Sequence, residues 1–178
     1  MNTLLLIKSL LALPWLAALS VTDIRKHELP NKLLLAGFLV ALPMALAAGV
    51  DYFLYSLVTA FLSSLFLLLP FFLRAAGAGD VKMLFVSGFI AGPGNTLNLI
   101  LLISFAGLVL AIVMLVLKKV NPARIKHYCR CVFDFTYDRT AGKAALPPAN
   151  DESCRVPFGV AISAGLFLNL LVQCIYTL

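Results

Sequence analysis

The chain has 178 residues, of which 62% are hydrophobic and only 12% are charged, and its mean hydropathy is +1.00. A soluble domain of this length has too little interior to hide so much apolar surface, so the composition excludes that class and indicates an integral membrane protein. The net charge of +6 reflects the placement of basic residues between membrane spans, and we do not expect a nucleic-acid partner.

The first apolar run, Met1–Val21, predicts a membrane-spanning helix, because about 20 apolar residues cross a hydrocarbon core of about 30 Å. It contains Lys8, whose long side chain is expected to reach the nearer lipid headgroups. A cleaved signal peptide with its cleavage site at Ala18-Leu19-Ser20 is the alternative interpretation. Arg25 and Lys26 follow directly and resist translocation, which favours a retained helix.

Four later runs are also long enough to span a membrane as helices: Leu33–Val50, Phe53–Leu73, Leu97–Leu117 and Val156–Leu178. A shorter apolar run, Val81–Ala91, would reach only about 16 Å as a helix at about 1.5 Å per residue. Gly92-Pro93-Gly94 follows and is expected to end it. We therefore predict an all-α membrane bundle of six transmembrane helices, five of them full spans, with a short fourth helix.

The chain is predicted to form a single membrane domain, residues 1–178, with one sizeable loop at 118–155. Within this loop, Arg124–Phe135 could lie on the membrane surface as a basic amphipathic segment, and a partly ordered tether is an equally good interpretation. One histidine and three cysteines also fall in the loop: His127, Cys129, Cys131 and Cys154. Their Cys-x-Cys spacing is not typical of zinc sites, so ordinary thiols are favoured and no metal or other cofactor is expected.

The basic residues predict which side of the membrane each connection faces. Apart from Lys8, every Lys and Arg lies in or beside the first, third or fifth connection. The second and fourth connections, around Gly49–Tyr52 and Gly92–Asn98, contain none. The positive-inside rule therefore places connections one, three and five in the cytoplasm and both termini outside.

Acidic side chains are scarce, with eight in the whole chain. Five of them lie in an outer turn or in the large loop, where solvated charges need no functional explanation: Asp51, Asp134, Asp138, Asp151 and Glu152. Asp23 follows the first span directly, and Asp80 opens the short fourth helix. The predicted topology puts both at the same membrane face and at similar depth, which is the reason to pair them. Taken singly, Asp80 would be explained as a helix N-cap and Asp23 as a charge beside Arg25.

A pair of aspartates can hydrolyse a peptide bond without a metal. One carboxylate acts as the base for water while the other, protonated, polarises the carbonyl group, because two like charges a few Å apart cannot both ionise. Gly77 and Gly79 are expected to adopt positive φ and to let a substrate strand approach. The helix dipole would favour ionised Asp80 and suit it to the base role, although the assignment stays open. Lys82 is expected to pair with a carboxylate or a lipid phosphate.

Three segments in order resemble the type IV prepilin peptidases, which are GxGD aspartyl proteases. Gly77-Ala78-Gly79-Asp80-Val81-Lys82 is similar to the GxGD-x-K segment of that family, with Ala78 where many relatives have glycine. Asp23–Leu33 resembles its first-aspartate segment, in which basic residues and a Pro-Asn pair follow the aspartate. Arg155–Gly159 resembles the Pro-Phe-Gly that opens its last helix. The resemblance runs from Asp23 to the C-terminus, apart from residues 118–155.

The resemblance implies an aspartic-type endopeptidase of the bacterial inner membrane that removes class III leader peptides from prepilins and pseudopilins at the cytoplasmic face. By matched position, Asp23 and Asp80 would be catalytic, and Gly77, Gly79 and Lys82 would belong to the active-site loop. The short form resembles the peptidases of tight-adherence (Flp) pilus systems. The N-methyltransferase region of larger members is expected to be absent. The implied partners are prepilin substrates and membrane lipid, and neither the particular pilin nor the oligomeric state is specified.

Two alternatives remain at this point. A presenilin-like protease also has GxGD, but it would normally place its first aspartate in a Tyr-Asp pair, whereas Thr22 precedes Asp23 here. A small transporter or pilus-assembly scaffold would use Asp23, Lys82 and Asp80 as a structural ion pair or proton relay. Asparagine substitution of the aspartates separates a protease from a scaffold.

Overall fold

The computed structural model describes residues 3–26, 29–72, 76–117 and 158–176. Within these ranges it contains six α-helices and no strand: α1 Thr3–Lys26, α2 Asn31–Ala47, α3 Val50–Phe72, α4 Ala78–Ala91, α5 Thr96–Val116 and α6 Phe158–Tyr176. The predicted all-α layout of six helices with a short fourth is confirmed. The loop at 118–155, with its histidine and cysteines, lies outside the described residues.

Four of these helices are long and apolar enough to cross a membrane: Leu5–Arg25, Val50–Phe72, Thr96–Val116 and Phe158–Tyr176. Helix α2 is apolar but has only 17 residues, which lies at the lower limit of about 17–25 residues for a span. The five predicted full spans thus correspond to these four helices and the shorter apolar helix α2. Large apolar side chains such as Leu10, Phe72 and Val116 point outward and are more than 70% exposed, as expected of a helix bundle with hydrocarbon around it.

Helix α4 is the central element of the bundle, since it packs against α2, α3, α5 and α6. Eight of its 14 residues are buried, including Met83 and Leu84, and a helix that is apolar all round is typical of such a position. It begins at Ala78, three residues before the predicted start, and ends at Ala91 as predicted. Gly92 follows with φ +86°, and Pro93 prevents the helix from continuing.

Glycines allow α4 and α6 to approach their neighbours closely. A Cβ atom at Gly88 of α4 would lie 2.9 Å from Ala60 Cα and 3.0 Å from Thr59 O in α3. In the same way, a Cβ atom at Gly165 of α6 would lie 2.7 Å from the Cα and 2.8 Å from the N of Ile103 in α5. Small residues at helix crossings are the usual basis of association in lipid, where dispersion contacts replace the hydrophobic effect.

Lys8 has a different position from the one predicted. Its side chain is only 8% exposed, and its ammonium donates to Ala91 O and to the Tyr52 hydroxyl, each at 3.4 Å. The expectation that it reaches the lipid headgroups is therefore wrong, because the end of α4 supplies a carbonyl acceptor inside the bundle. Lys8 and Ala91 mark one end of the bundle, and the aspartate-bearing segments lie at the other.

Replacing Gly165 by alanine tests the close contact between α5 and α6. The added methyl group meets the backbone of Ile103, which cannot rotate away, so Gly165→Ala is expected to destabilise the fold by about 1–3 kcal/mol. Thermal unfolding of the purified protein in detergent measures this change. Gly107→Ala is the matched control, because its Cβ would find its nearest neighbours at 3.9 Å. Equal melting temperatures for the two variants would contradict the α5–α6 contact.

Candidate active site

The Asp23 side chain lies in the last turn of α1 and is 4% exposed. Its Oδ2 atom accepts the backbone N–H of Val160 at 3.2 Å, in the first turn of α6. The first N–H groups of a helix have no partner within the helix and carry a partial positive charge, so they stabilise a carboxylate there. A Cβ atom at Gly159 would lie 2.8 Å from Asp23 Oδ2. Glycine at this position therefore lets α6 begin directly against the carboxylate.

Asp80 is the third residue of α4, and Gly77 is its N-cap. The Asp80 Oδ2 atom accepts the N–H of Gly77 at 2.9 Å, while the Asp80 N–H donates to Gly77 O at 3.1 Å. This reciprocal pair closes the first turn of the helix in the manner of a capping box. The interpretation of Asp80 as the N-cap is therefore wrong by three residues. Its side chain is half-buried and more accessible than that of Asp23.

Gly77 and Gly79 do not have the positive φ that was expected. Gly77 is extended, with φ −83° and ψ 157°, and Gly79 lies inside α4. Their value here is the missing side chain, because a Cβ atom at Gly79 would lie 3.1 Å from Leu29 Cβ. Contacts this short require the neighbour to move, so glycine at 79 makes room for the connection between α1 and α2.

Leu29 lies between the surroundings of the two aspartates. Its Cδ2 atom lies 3.1 Å from the Cβ position of Gly159, beside Asp23, and its Cβ atom lies 3.1 Å from that of Gly79, beside Asp80. Leu29 therefore packs close to α6 where α6 meets Asp23, and close to the first turn of α4, which carries Asp80. The pairing of the two aspartates in one reaction stays a prediction. Leu29 itself was missed, because a leucine before Pro-Asn carries no signal of such a contact.

Lys82 connects α4 to the beginning of α2 by a hydrogen bond. Its ammonium donates to Asn31 Oδ1 at 3.0 Å, next to Pro30, whose extended backbone precedes the helix. The acceptor in the protein is a neutral amide oxygen rather than a carboxylate, and the pairing with a lipid phosphate stays a prediction. His27 and Glu28 lie outside the described residues. Lys82 and Asn31 thus hold the connection that contains Leu29 against the first turn of α4.

The described part of the chain contains no group of three or more side chains that could hold a metal ion. What the site presents is a pair of aspartate segments at one end of the bundle, each with a carboxylate oriented by a backbone N–H group. Such an arrangement is suited to proton transfer, since a carboxylate accepts a proton and a carboxylic acid donates one.

The model of the type IV leader peptidase family matches residues 10–112, which is more than half of the chain. The chain belongs to the type IV leader peptidase family. The family and the apolar helices together make it an integral membrane protein with peptidase activity, and the predicted resemblance is confirmed. The matched range includes both Asp23 and Asp80 and excludes α6. No curated protein and no solved structure matches this chain.

Replacing Gly159 by alanine tests the contact between α6 and Asp23. The new methyl group would lie 2.8 Å from Oδ2 and 3.0 Å from Cγ of Asp23, so the carboxylate has to rotate away. Displacement of a reacting group by about 1 Å can cost about 100-fold in rate. If Asp23 takes part in the reaction, Gly159→Ala is expected to lower the turnover of the peptidase at least tenfold at a temperature at which the variant remains folded.

Gly165→Ala, six residues further along α6, is the matched control. It disturbs packing against Ile103 and leaves Asp23 untouched, so it is expected to lower the melting temperature while preserving turnover at a permissive temperature. Full activity in Gly159→Ala would contradict a role of this contact in the reaction.

Proposed function

We propose that this chain is a membrane aspartyl endopeptidase that removes the leader peptide from prepilins or pseudopilins, with Asp23 and Asp80 as its catalytic pair. The observation that carries the proposal is that Leu29 packs close to Gly159, which lies against Asp23, and to Gly79, which precedes Asp80. The two aspartates therefore lie at the same end of the bundle. Family membership supports the peptidase activity. The basic residues of the first, third and fifth connections favour the cytoplasmic membrane face for this end.

The surroundings of the two carboxylates support their pairing and leave their roles interchangeable. Asp23 faces the N-terminus of α6, and Asp80 lies in the first turn of α4. The helix-dipole argument that suits Asp80 to the base role therefore applies equally to Asp23. In the proposed dyad the two groups share one proton and titrate as a unit.

The proposed reaction needs only the dyad and one water molecule. The ionised aspartate accepts a proton from water while the oxygen of that water attacks the scissile carbonyl carbon. At the same time the protonated aspartate gives its proton to the carbonyl oxygen. The resulting tetrahedral diol collapses as the C–N bond breaks. One aspartate then protonates the departing amine and the other takes a proton from the diol, which returns the dyad to one shared proton.

The exposure of the Gly77 turn indicates where the cleavage segment would lie. Gly77 and Ala78 are exposed, whereas the Asp23 side chain is buried. An extended peptide can approach a glycine closely because no Cβ atom obstructs it. We place the cleavage segment of the substrate beside Gly77–Gly79 and its apolar stem in the bilayer, with water entering from the cytoplasm. No N-methyltransferase function is proposed.

A transporter or scaffold is the competing function. It requires Lys82 to form an ion pair or proton relay with Asp23 and Asp80. The acceptor that the structure gives to the Lys82 ammonium is Asn31 Oδ1, which is neutral and cannot relay a proton as a carboxylate does. This contact favours the peptidase over the scaffold.

The test is cleavage of a prepilin by the purified protein in liposomes, followed by gel shift and mass of the product. Asp23→Asn and Asp80→Asn keep the size of each side chain but cannot take part in proton exchange. Each is expected to lower turnover at least about 1,000-fold, because catalytic residues that act as one unit lose most of their combined effect when any one of them is removed. A chelator is expected to leave the wild-type rate unchanged.

Asp51→Asn is the matched control, because Asp51 is an exposed aspartate in the first turn of α3, at the end of the bundle away from Asp23 and Asp80. It is expected to cleave at the wild-type rate. Cleavage by both active-site variants would show that Asp23 and Asp80 are structural. Loss of cleavage with chelator would instead indicate a metal mechanism.

A further inference from the structure

The carbonyl oxygen of Ala91, the last residue of α4, accepts hydrogen bonds from three side chains. Gln173 Nε2 lies 3.0 Å away, Asn95 Nδ2 lies 3.3 Å away and Lys8 Nζ lies 3.4 Å away. These donors come from α6, from the turn before α5 and from α1. We call Lys8, Asn95 and Gln173 the Ala91 clamp. It lies at the opposite end of α4 from Asp80.

The clamp satisfies a physical need at the end of α4. The last carbonyl groups of a helix have no partner within it and carry a partial negative charge. At membrane depth an unsatisfied backbone group costs several kcal/mol. A buried ammonium is also costly unless it is paired. Lys8, which is 8% exposed, and the end of α4 therefore stabilise each other. Gln173 is oriented by Asn169 Oδ1, 2.6 Å from its Nε2.

Helices α1 and α6, which carry Lys8 and Gln173 of the clamp, also carry Asp23 and the N–H group that it accepts. Helix α1 carries Lys8 at one end and Asp23 at the other, about 22 Å apart at about 1.5 Å per residue. Helix α6 carries Gln173 at one end and Val160, whose N–H contacts Asp23, at the other. Helix α4 then runs from the Ala91 carbonyl back to Asp80 over about 16 Å. The three helices form a closed frame in which the clamp lies opposite the two aspartates.

We propose that the Ala91 clamp sets the axial position of α4 and thereby the placement of Asp80 relative to Asp23. Apolar packing is non-directional and tolerates small sliding of one helix along another, whereas hydrogen bonds depend steeply on distance and angle. The clamp residues are thus positioning residues for the reaction, a role that rests on the proposed function. A shift of α4 by about 1 Å would be enough to cost about 100-fold in turnover.

Kinetics of clamp variants of the full chain in liposomes test this role. Lys8→Met keeps an apolar stem of similar length but has no donor for the Ala91 carbonyl. It is expected to lower kcat at least tenfold with KM within threefold of wild type. Gln173→Leu is expected to act in the same direction, and Lys8→Arg, which retains donors and charge, to restore most of kcat. Ser64→Ala is the matched control, because Ser64 Oγ donates to Phe61 O within α3 at 2.8 Å, away from the clamp; it is expected to leave kcat unchanged.

Hydrogen exchange supplies a readout that needs no substrate. The Asp80 amide donates to Gly77 O, and Lys8→Met is expected to speed its exchange at least threefold while Ser64→Ala leaves it unchanged. Unchanged kcat and unchanged exchange in both Lys8→Met and Gln173→Leu would overturn the clamp proposal. If wild type fails to cleave any prepilin, the proposed function falls, and faster exchange at Asp80 in Lys8→Met still shows that the clamp controls α4. A loss of stability that Lys8→Arg does not rescue would reduce Lys8 to a packing residue and overturn its positioning role.

Discussion

The contact between the Asp23 carboxylate and the N-terminus of α6 is the constraint on which the rest of this structure depends. A carboxylate that is 4% exposed at the end of a membrane helix is costly unless hydrogen-bond donors face it. Val160 N–H supplies one from the other end of the sequence. Gly159 is required next to it because a side chain would occupy the space of the carboxylate. This contact brings the first and last helices together and leaves α4 to complete the site.

Helix α4 can complete the site because it is short and is buried over its second half, while its first turn stays accessible. With 14 residues it begins at the aspartate end and ends inside the bundle, where Lys8, Asn95 and Gln173 bind its last carbonyl. Its glycine at position 88 brings it against the backbone of α3. In lipid, where no hydrophobic effect draws helices together, such close contacts and buried hydrogen bonds account for much of the packing. The same features stiffen the helix that carries Asp80.

The sequence was sufficient to identify the family and to single out two aspartates, but not the contacts that hold them in place. Asp23 and Asp80 could be paired because acidic residues are rare in the chain and the topology put both at one face. The helix-breaking Gly92-Pro93 could be read directly, and α4 does end there. Lys8 was misplaced because its sequence context shows an apolar helix with one cation. The carbonyl group that accepts its hydrogen bond lies 83 positions away in the sequence. Leu29 was overlooked for the same reason.

Composition and local pattern determined the class of this protein: apolar runs of membrane length, the break after α4, and the family signature around Asp23, Asp80 and Pro157-Phe158-Gly159. These features are local, since helix length, helix ends and motif spacing depend on neighbouring residues. Tertiary structure alone decided which neighbouring side chain each glycine makes room for. Gly79 and Gly159 admit Leu29 and Asp23, and neither uses positive φ. The reason is physical: contacts between helices depend on how distant segments pack, and that geometry is not encoded in the spacing along any one of them.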